Sequence, residues 1–139
     1  NSNGGEITVR GSRSKFCIDL IKHAGGIVME GDKDPQDSAA CAELVFKFDP
    51  DVIIDDYSTT GNIPEWIAHL RAVKNGRVYQ IPYDDPEAWI TIWTFNAYSP
   101  LGLLWLGKNF YPEEFADLDL NKAQDEFCVT VFGSNFKKK

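Results

Sequence analysis

Apolar and polar positions along this chain switch between two periods, and the switches mark its elements. Glu6–Arg10 (EITVR) alternates with period two and is rich in β-branched residues, which predicts a strand. Gly11-Ser12 breaks it. Ser12 or Ser14 is placed to cap a helix over Lys15–His23, whose apolar face is Phe16, Ile18, Leu20 and Ile21. Ala24-Gly25-Gly26 ends that helix, because glycine accepts a left-handed cap. Ile27–Met29 is a short apolar run, read as a second strand. After the polar connection Glu30–Gln36, Asp37 or Ser38 begins a helix through Phe48, with Cys41, Leu44, Val45 and Phe48 on one side. Asp49-Pro50 stops it, since a residue before proline is pushed out of the helical region. Asp51–Tyr57 (DVIIDDY) carries the continuous apolar run of a strand buried on both faces of a parallel sheet. Ser58–Asn62 is a loop, and Pro64 suits the first turn of a helix over Glu65–Val73. Asn75-Gly76 then turns the chain into a strand over Arg77–Pro82.

Strands alternate with helices up to Pro82, and only helices follow. The pattern predicts an α/β fold: a Rossmann-like, three-layer lobe with a mostly parallel sheet of roughly four to five strands and a helical C-terminal third. In that last third, Trp89 and Trp93 lie four residues apart on one helical face. Ser99-Pro100 starts an apolar helix over Leu101–Phe110, and Pro112 begins a short helical turn. Asn121 caps the last helix, with Gln124 three residues on as in a capping box. Phe127, Val131 and Cys128 are expected to dock it on the sheet. Residues 1–5 (NSNGG) read as disorder or a tag scar, 6–134 as one α/β lobe, and 135–139 as a basic tail, a frayed end or an expression remnant.

The bulk numbers fit one globular domain: 139 residues, 43% apolar and 25% charged. A net charge of −7 argues against nucleic acid as a partner. No stretch of about 18 apolar residues is present to span a membrane. No signal peptide is visible, but Asn1 does not look like a natural start, so the chain reads as a fragment. Three cysteines, Cys17, Cys41 and Cys128, cannot all pair, and each lies alone in a predicted helix. The expected role is a small buried hydrophobe rather than a metal ligand. His23 and His69 are isolated, so no zinc site is proposed.

In an open parallel sheet, ligands bind beyond the carboxyl ends of the strands. Those ends here are Gly11-Ser12, Glu30-Gly31, Tyr57-Ser58-Thr59 and Tyr83-Asp84-Asp85. Trp89 and Trp93 beside Tyr57 and Tyr83 would form an aromatic wall for a flat or bulky partner; the competing reading makes these tryptophans core. For Trp105, among Leu101, Leu103, Leu104 and Leu106, core is the preferred reading. Asp55-Asp56 at a strand end resembles the acids of receiver-like domains, although the first strand ends in Arg10-Gly11 where a receiver carries acids. No phosphate-binding glycine motif and no nucleophile–base pair appears, so no catalysis is expected. A small α/β enzyme domain using Asp55 and Asp56, or an interaction module using the tryptophan face, stand as the alternatives.

Four stretches carry a family likeness: FDPDVIIDDY, the helix with Trp66, LRAVKNGRVYQIP and SPLGLLWLGKNFYPEEF. With Gly11-x-x-Ser14 and the Ala24-Gly25-Gly26 turn, they resemble substrate-binding proteins of bacterial ABC importers. The likeness is to the TroA-like class that handles iron–siderophore, haem and cobalamin complexes, and it runs from about residue 6 to residue 133. Such proteins have two α/β lobes joined by one long helix, with ligand in the cleft between; this chain resembles the carboxy-terminal lobe. An excised domain is preferred over a natural half-protein. The resemblance implies a lipoprotein-anchored protein in the periplasm or on the outer face of the membrane, with no cofactor. Its implied partners are a small-molecule metal complex, an ABC permease and an amino-terminal lobe. It implies that the loops Arg10–Ser14, Tyr57–Thr60 and Tyr83–Trp89 face the cleft. Tyr57, Ser58, Tyr83, Trp89 and Trp93 would then hold a metal chelate, and Arg10 or Arg13 would meet a carboxylate or phosphate. Asp84-Asp85 departs from the glycine or small residues common there and disfavours a strongly anionic siderophore. The residue seven before the PD motif, Glu43, would dock on permease arginines. An isolated lobe would expose its cleft surface and self-associate.

Overall fold

The structure, a computed structural model, describes residues 15–29, 38–55, 65–80 and 98–134, excepting the side chains at 15–17, 38–41, 55 and 80. Helices are α1 (Lys15–His23), α2 (Ser38–Phe48), α3 (Arg71–Lys74), α4 (Ser99–Phe110) and α5 (Leu120–Phe132). Strands are β1 (Ile53–Asp55) and β2 (Val78–Gln80). The chain divides into two compact units, Asn1–Lys15 with Val28–Ile81 and Phe16–Ile27 with Pro82–Lys139.

In the first unit, β1 and β2 pair in parallel, with Ile53 opposite Val78, Ile54 opposite Tyr79 and Asp55 opposite Gln80. A parallel pair needs a long crossover, supplied here by a 3₁₀ turn over Glu65–Ile67 and by α3. Val45 of α2, Ile67 and Leu70 form the core, against which Met29, Ile53, Trp66 and Val73 pack. The sequence predicted one helix over Glu65–Val73; the structure breaks it at Leu70, which is extended (φ −64, ψ 148) and 1% exposed. The reason is visible in the hydrogen bonds. The Arg71 N–H donates to Asp49 Oδ1 at 3.0 Å and the Ala72 N–H to the Pro50 carbonyl at 3.1 Å. Both amides are therefore taken by the preceding loop instead of by the turn one residue cycle back.

Two of the predicted strands form this pair. Glu6–Arg10 lies outside the described residues. Ile27–Met29 is irregular rather than a strand: no described neighbour pairs with it, Ile27 is 87% exposed, and only Met29 reaches the core. β1 is also shorter than Asp51–Tyr57, and Ile53 and Ile54 are half-buried rather than buried on both faces. On α2, Val45 is buried while Phe48 is exposed.

The second unit holds α1, α4 and α5. α1 ends as predicted: the Gly25 N–H donates to the Lys22 carbonyl and the Gly26 N–H to the Ile21 carbonyl, with Gly25 at φ 84. That pairing satisfies the last carbonyls of the helix. The Tyr111 hydroxyl donates to the Gly25 carbonyl at 2.9 Å, tying the end of α1 to the residue after α4. α4 buries Leu101, Gly102, Leu106 and Gly107, while Trp105 is half-buried. Gly107 lets the Phe115 ring approach, since a Cβ there would lie 3.1 Å from Phe115 Cζ.

α5 corrects two expectations. Its cap is Asp119, not Asn121: the carboxylate accepts from the Asn121 and Lys122 N–H groups at 3.0 and 3.1 Å. Starting there, Gln124 is too far along to close a capping box, and it turns inward instead. Cys128 is buried as expected, but Val131 is half out in solvent. Phe127 meets Tyr98 and Phe132 at centroid distances of 5.9 and 6.2 Å, and α5 packs on α4.

Candidate functional site

Parallel strands end at one edge, so the chain leaves β1 after Asp55 and β2 after Gln80 side by side. The sequence candidates follow these two exits: Tyr57 and Ser58 after β1, then Tyr83, Asp84, Trp89 and Trp93 after β2. These residues, together with Arg10 and Arg13, lie outside the described residues. So do Asp56 and the side chain of Asp55, the receiver-like pair. Glu43 is described, and it lies exposed on α2 in the first unit.

What the described residues define is the frame that carries the first exit. Asp49 ends α2 with φ 44, a left-handed value uncommon outside glycine, and it precedes a proline. Arg71 holds it there. The guanidinium donates from Nε to Asp49 Oδ2 at 2.9 Å and from Nη2 to the Asp49 carbonyl at 2.6 Å. It also reaches Asp51 Oδ1 from Nη1 at 2.9 Å. One side chain thus clamps both acids of the Asp49-Pro50-Asp51 turn immediately before β1. The Arg71 N–H bond, opposed by burial and aided by the guanidinium, holds the Asp49 carboxyl below its ordinary value of 3.8. Sequence reading missed this clamp, although an acidic turn and an arginine in the stretch LRAVK were both in view.

Among the described residues no group of His, Cys, Asp and Glu could hold a metal ion. His23 bonds locally, its Nδ1 lying 2.6 Å from the Asp19 carbonyl oxygen, and His69 stacks on Phe46. Burial, helped by Asp125, pushes the Cys128 thiol pKa up. A shallow depression over α5 is lined by Asp125, Glu126, Val129 and Thr130, all from one helix. No helix among the described residues is long and apolar enough to cross a membrane.

The fold is that of a lobe of a periplasmic solute-binding protein. A crystal structure of such a protein from Veillonella parvula matches 95% of this chain at TM-score 0.66 and 24% identity. One similar protein is MolA of Haemophilus influenzae, described as a molybdate-binding protein and 24% identical over 88% of this chain. The molybdate-bound structure of MolA, the cognate periplasmic binding protein of an ABC transporter, covers 96% of the chain at TM-score 0.66 and 21% identity. No family model matches the chain. The chain spans 36% of the length of MolA and 41% of each solved chain. These two solved proteins are described as periplasmic binding proteins.

Proposed function

We propose that this chain is one lobe of the solute-binding protein of an ABC importer, which captures cargo and delivers it unchanged. The observation that carries the reading is the TM-score of 0.66 to a periplasmic solute-binding protein over 95% of the chain. In this reading the residues following β1 and β2, Tyr57, Ser58, Tyr83, Asp84, Trp89 and Trp93, form half of a cleft with Arg10 and Arg13. A second lobe supplies the other half, and Glu43 meets the permease.

The cargo is a small oxyanion of the molybdate kind. MolA binds molybdate, and a guanidinium such as that of Arg10 or Arg13 suits an oxyanion through paired charge-assisted hydrogen bonds. A metal chelate, of siderophore, haem or cobalamin type, is the second reading, favoured by the four aromatics Tyr57, Tyr83, Trp89 and Trp93. Tryptophan fluorescence separates the two. The chain, alone and joined to whatever its gene encodes on either side, is titrated with molybdate, a ferric siderophore, haem and cobalamin. An oxyanion site responds to molybdate and weakens in Arg10→Ala or Arg13→Ala. A chelate site responds to the chelates and weakens in Trp89→Ala. Silence toward all four in the longer protein refutes the reading.

A further inference from the structure

The chain passes from α3 to β2 through Asn75-Gly76, and both residues are exposed. Asparagine before glycine is open to spontaneous deamidation, because glycine has no side chain to obstruct attack by its own backbone nitrogen. Space is no obstacle here, since a Cβ built on Gly76 would meet nothing within 4 Å. Geometry is the obstacle. Attack needs the Gly76 nitrogen eclipsed with the Asn75 side chain. Asn75 has φ −92 and ψ 3, which eclipses the Gly76 nitrogen with the Asn75 backbone nitrogen instead. The Gly76 N–H, whose proton must leave first, donates to the Val73 carbonyl at 3.1 Å. The amides on either side are held as well: Asn75 N–H donates to the Arg71 carbonyl at 3.0 Å and Arg77 N–H to the Ala72 carbonyl at 2.7 Å.

We propose that Asn75 is a deamidation site held in check by the Arg71 clamp, and that it reacts when α3 releases the turn. A helix of four residues does not persist unaided. Its anchors are the Arg71 N–H and guanidinium on Asp49 and the Ala72 N–H on the Pro50 carbonyl. Arg71 and Ala72 are also the residues whose carbonyls hold the turn. Once the turn opens, solvent base takes the Gly76 amide proton, and the nitrogen's electron pair forms a bond to Asn75 Cγ. The Cγ–Nδ2 bond breaks, and the departing nitrogen takes a proton from solvent and leaves as ammonia. Water then opens the cyclic imide at either carbonyl, giving aspartate or isoaspartate. Both products add a negative charge. Isoaspartate also adds a methylene to the backbone ahead of Arg77, whose carbonyl accepts the Ile53 N–H at 3.0 Å beside the paired strands. That product loosens the pairing of β1 with β2.

The test incubates the chain and a free peptide of residues 70–80 in mildly alkaline buffer. Peptide mapping by mass spectrometry follows the amide-to-acid change at Asn75 and keeps it apart from Asn3-Gly4, the other such pair. Asn75 should react about five- to hundredfold more slowly in the chain than in the peptide, the factor that two net hydrogen bonds supply. Arg71→Ala should speed the reaction about two- to tenfold, the range expected of exposed ion pairs. Circular dichroism checks that this variant is folded. Asp51→Asn, which removes only the contact at Nη1, should give a smaller acceleration and serves where Arg71→Ala does not fold. Asn75→Gln should abolish the change. A rate in the chain equal to that in the peptide, no reaction at Asn75 in parent or variants, or folded clamp variants that react no faster overturns the proposal. An isoaspartyl fraction as resistant to urea as the parent overturns the effect on the strand pair.

Discussion

Replacing Gly25 by alanine tests the link between α1 and α4. Gly25 has φ 84, where an L-residue costs about 1–2 kcal/mol. A Cβ built there lies 2.6 Å from the Tyr111 hydroxyl oxygen and 3.2 and 3.3 Å from Cε2 and Cζ of the ring. Tyr111 must therefore move, straining or breaking its 2.9 Å bond to the Gly25 carbonyl, a loss of about 0.5–1.5 kcal/mol. Gly25→Ala should then cost roughly 2–3 kcal/mol, the sum of the two effects. Tyr111→Phe alone should cost only the hydrogen bond. In the double variant the 2.6 Å contact is gone, so alanine at position 25 should cost about 1 kcal/mol less than it does in the parent. Urea unfolding of the four proteins, followed by circular dichroism, measures the cycle. Additivity of the two substitutions within about 0.3–0.5 kcal/mol would refute the contact as the cause.

Three further outcomes follow from the same structure. Asp119→Ala should lose about 1 kcal/mol in urea unfolding while Asn121→Ala changes little; the reverse order would reinstate Asn121 as the cap. The Gln124 side chain is buried with no hydrogen-bond partner for Nε2 among the described residues, so Gln124→Met should be neutral or stabilising by up to about 1 kcal/mol, and a loss above about 2 kcal/mol would reveal a partner outside them. The lowered pKa of Asp49 gives a stabilising contribution that is present above 3.8 and fades as pH falls through the depressed folded value. Asp49→Asn should remove that part of the acid dependence, and an unchanged acid limb in thermal melts would deny it.

Local signals read from the chain alone found α1 and its cap, α2, the approximate positions of β1 and β2, and α4. Each is fixed by neighbours in sequence: Gly25 and Gly26 by the helix end they close, α4 by Ser99-Pro100 and its leucines. Expectations failed where distant residues decide. The helix over Glu65–Val73 breaks at Leu70 because Asp49 and Pro50, some twenty residues earlier, take the next two amides. Asp119 and Asn121 both suit a cap by residue type, and only the direction of the incoming chain selects the first. Periodicity put Val131 on the docking face, yet the buried stripe of α5 runs through Gln124 and Cys128. Of the site, the sequence pointed to the two strand exits that the parallel register brings together, while the Arg71 clamp depends on a contact across 22 positions.

That clamp constrains how the first unit assembles. α3 is only four residues long, far below the length at which a helix persists unaided. It exists because the corner at Asp49 and Pro50 offers its amides a landing place, so neither half is a preformed building block for the other. An excised peptide covering the crossover should be coil in water, and it should gain order only when the acidic corner is restored to it.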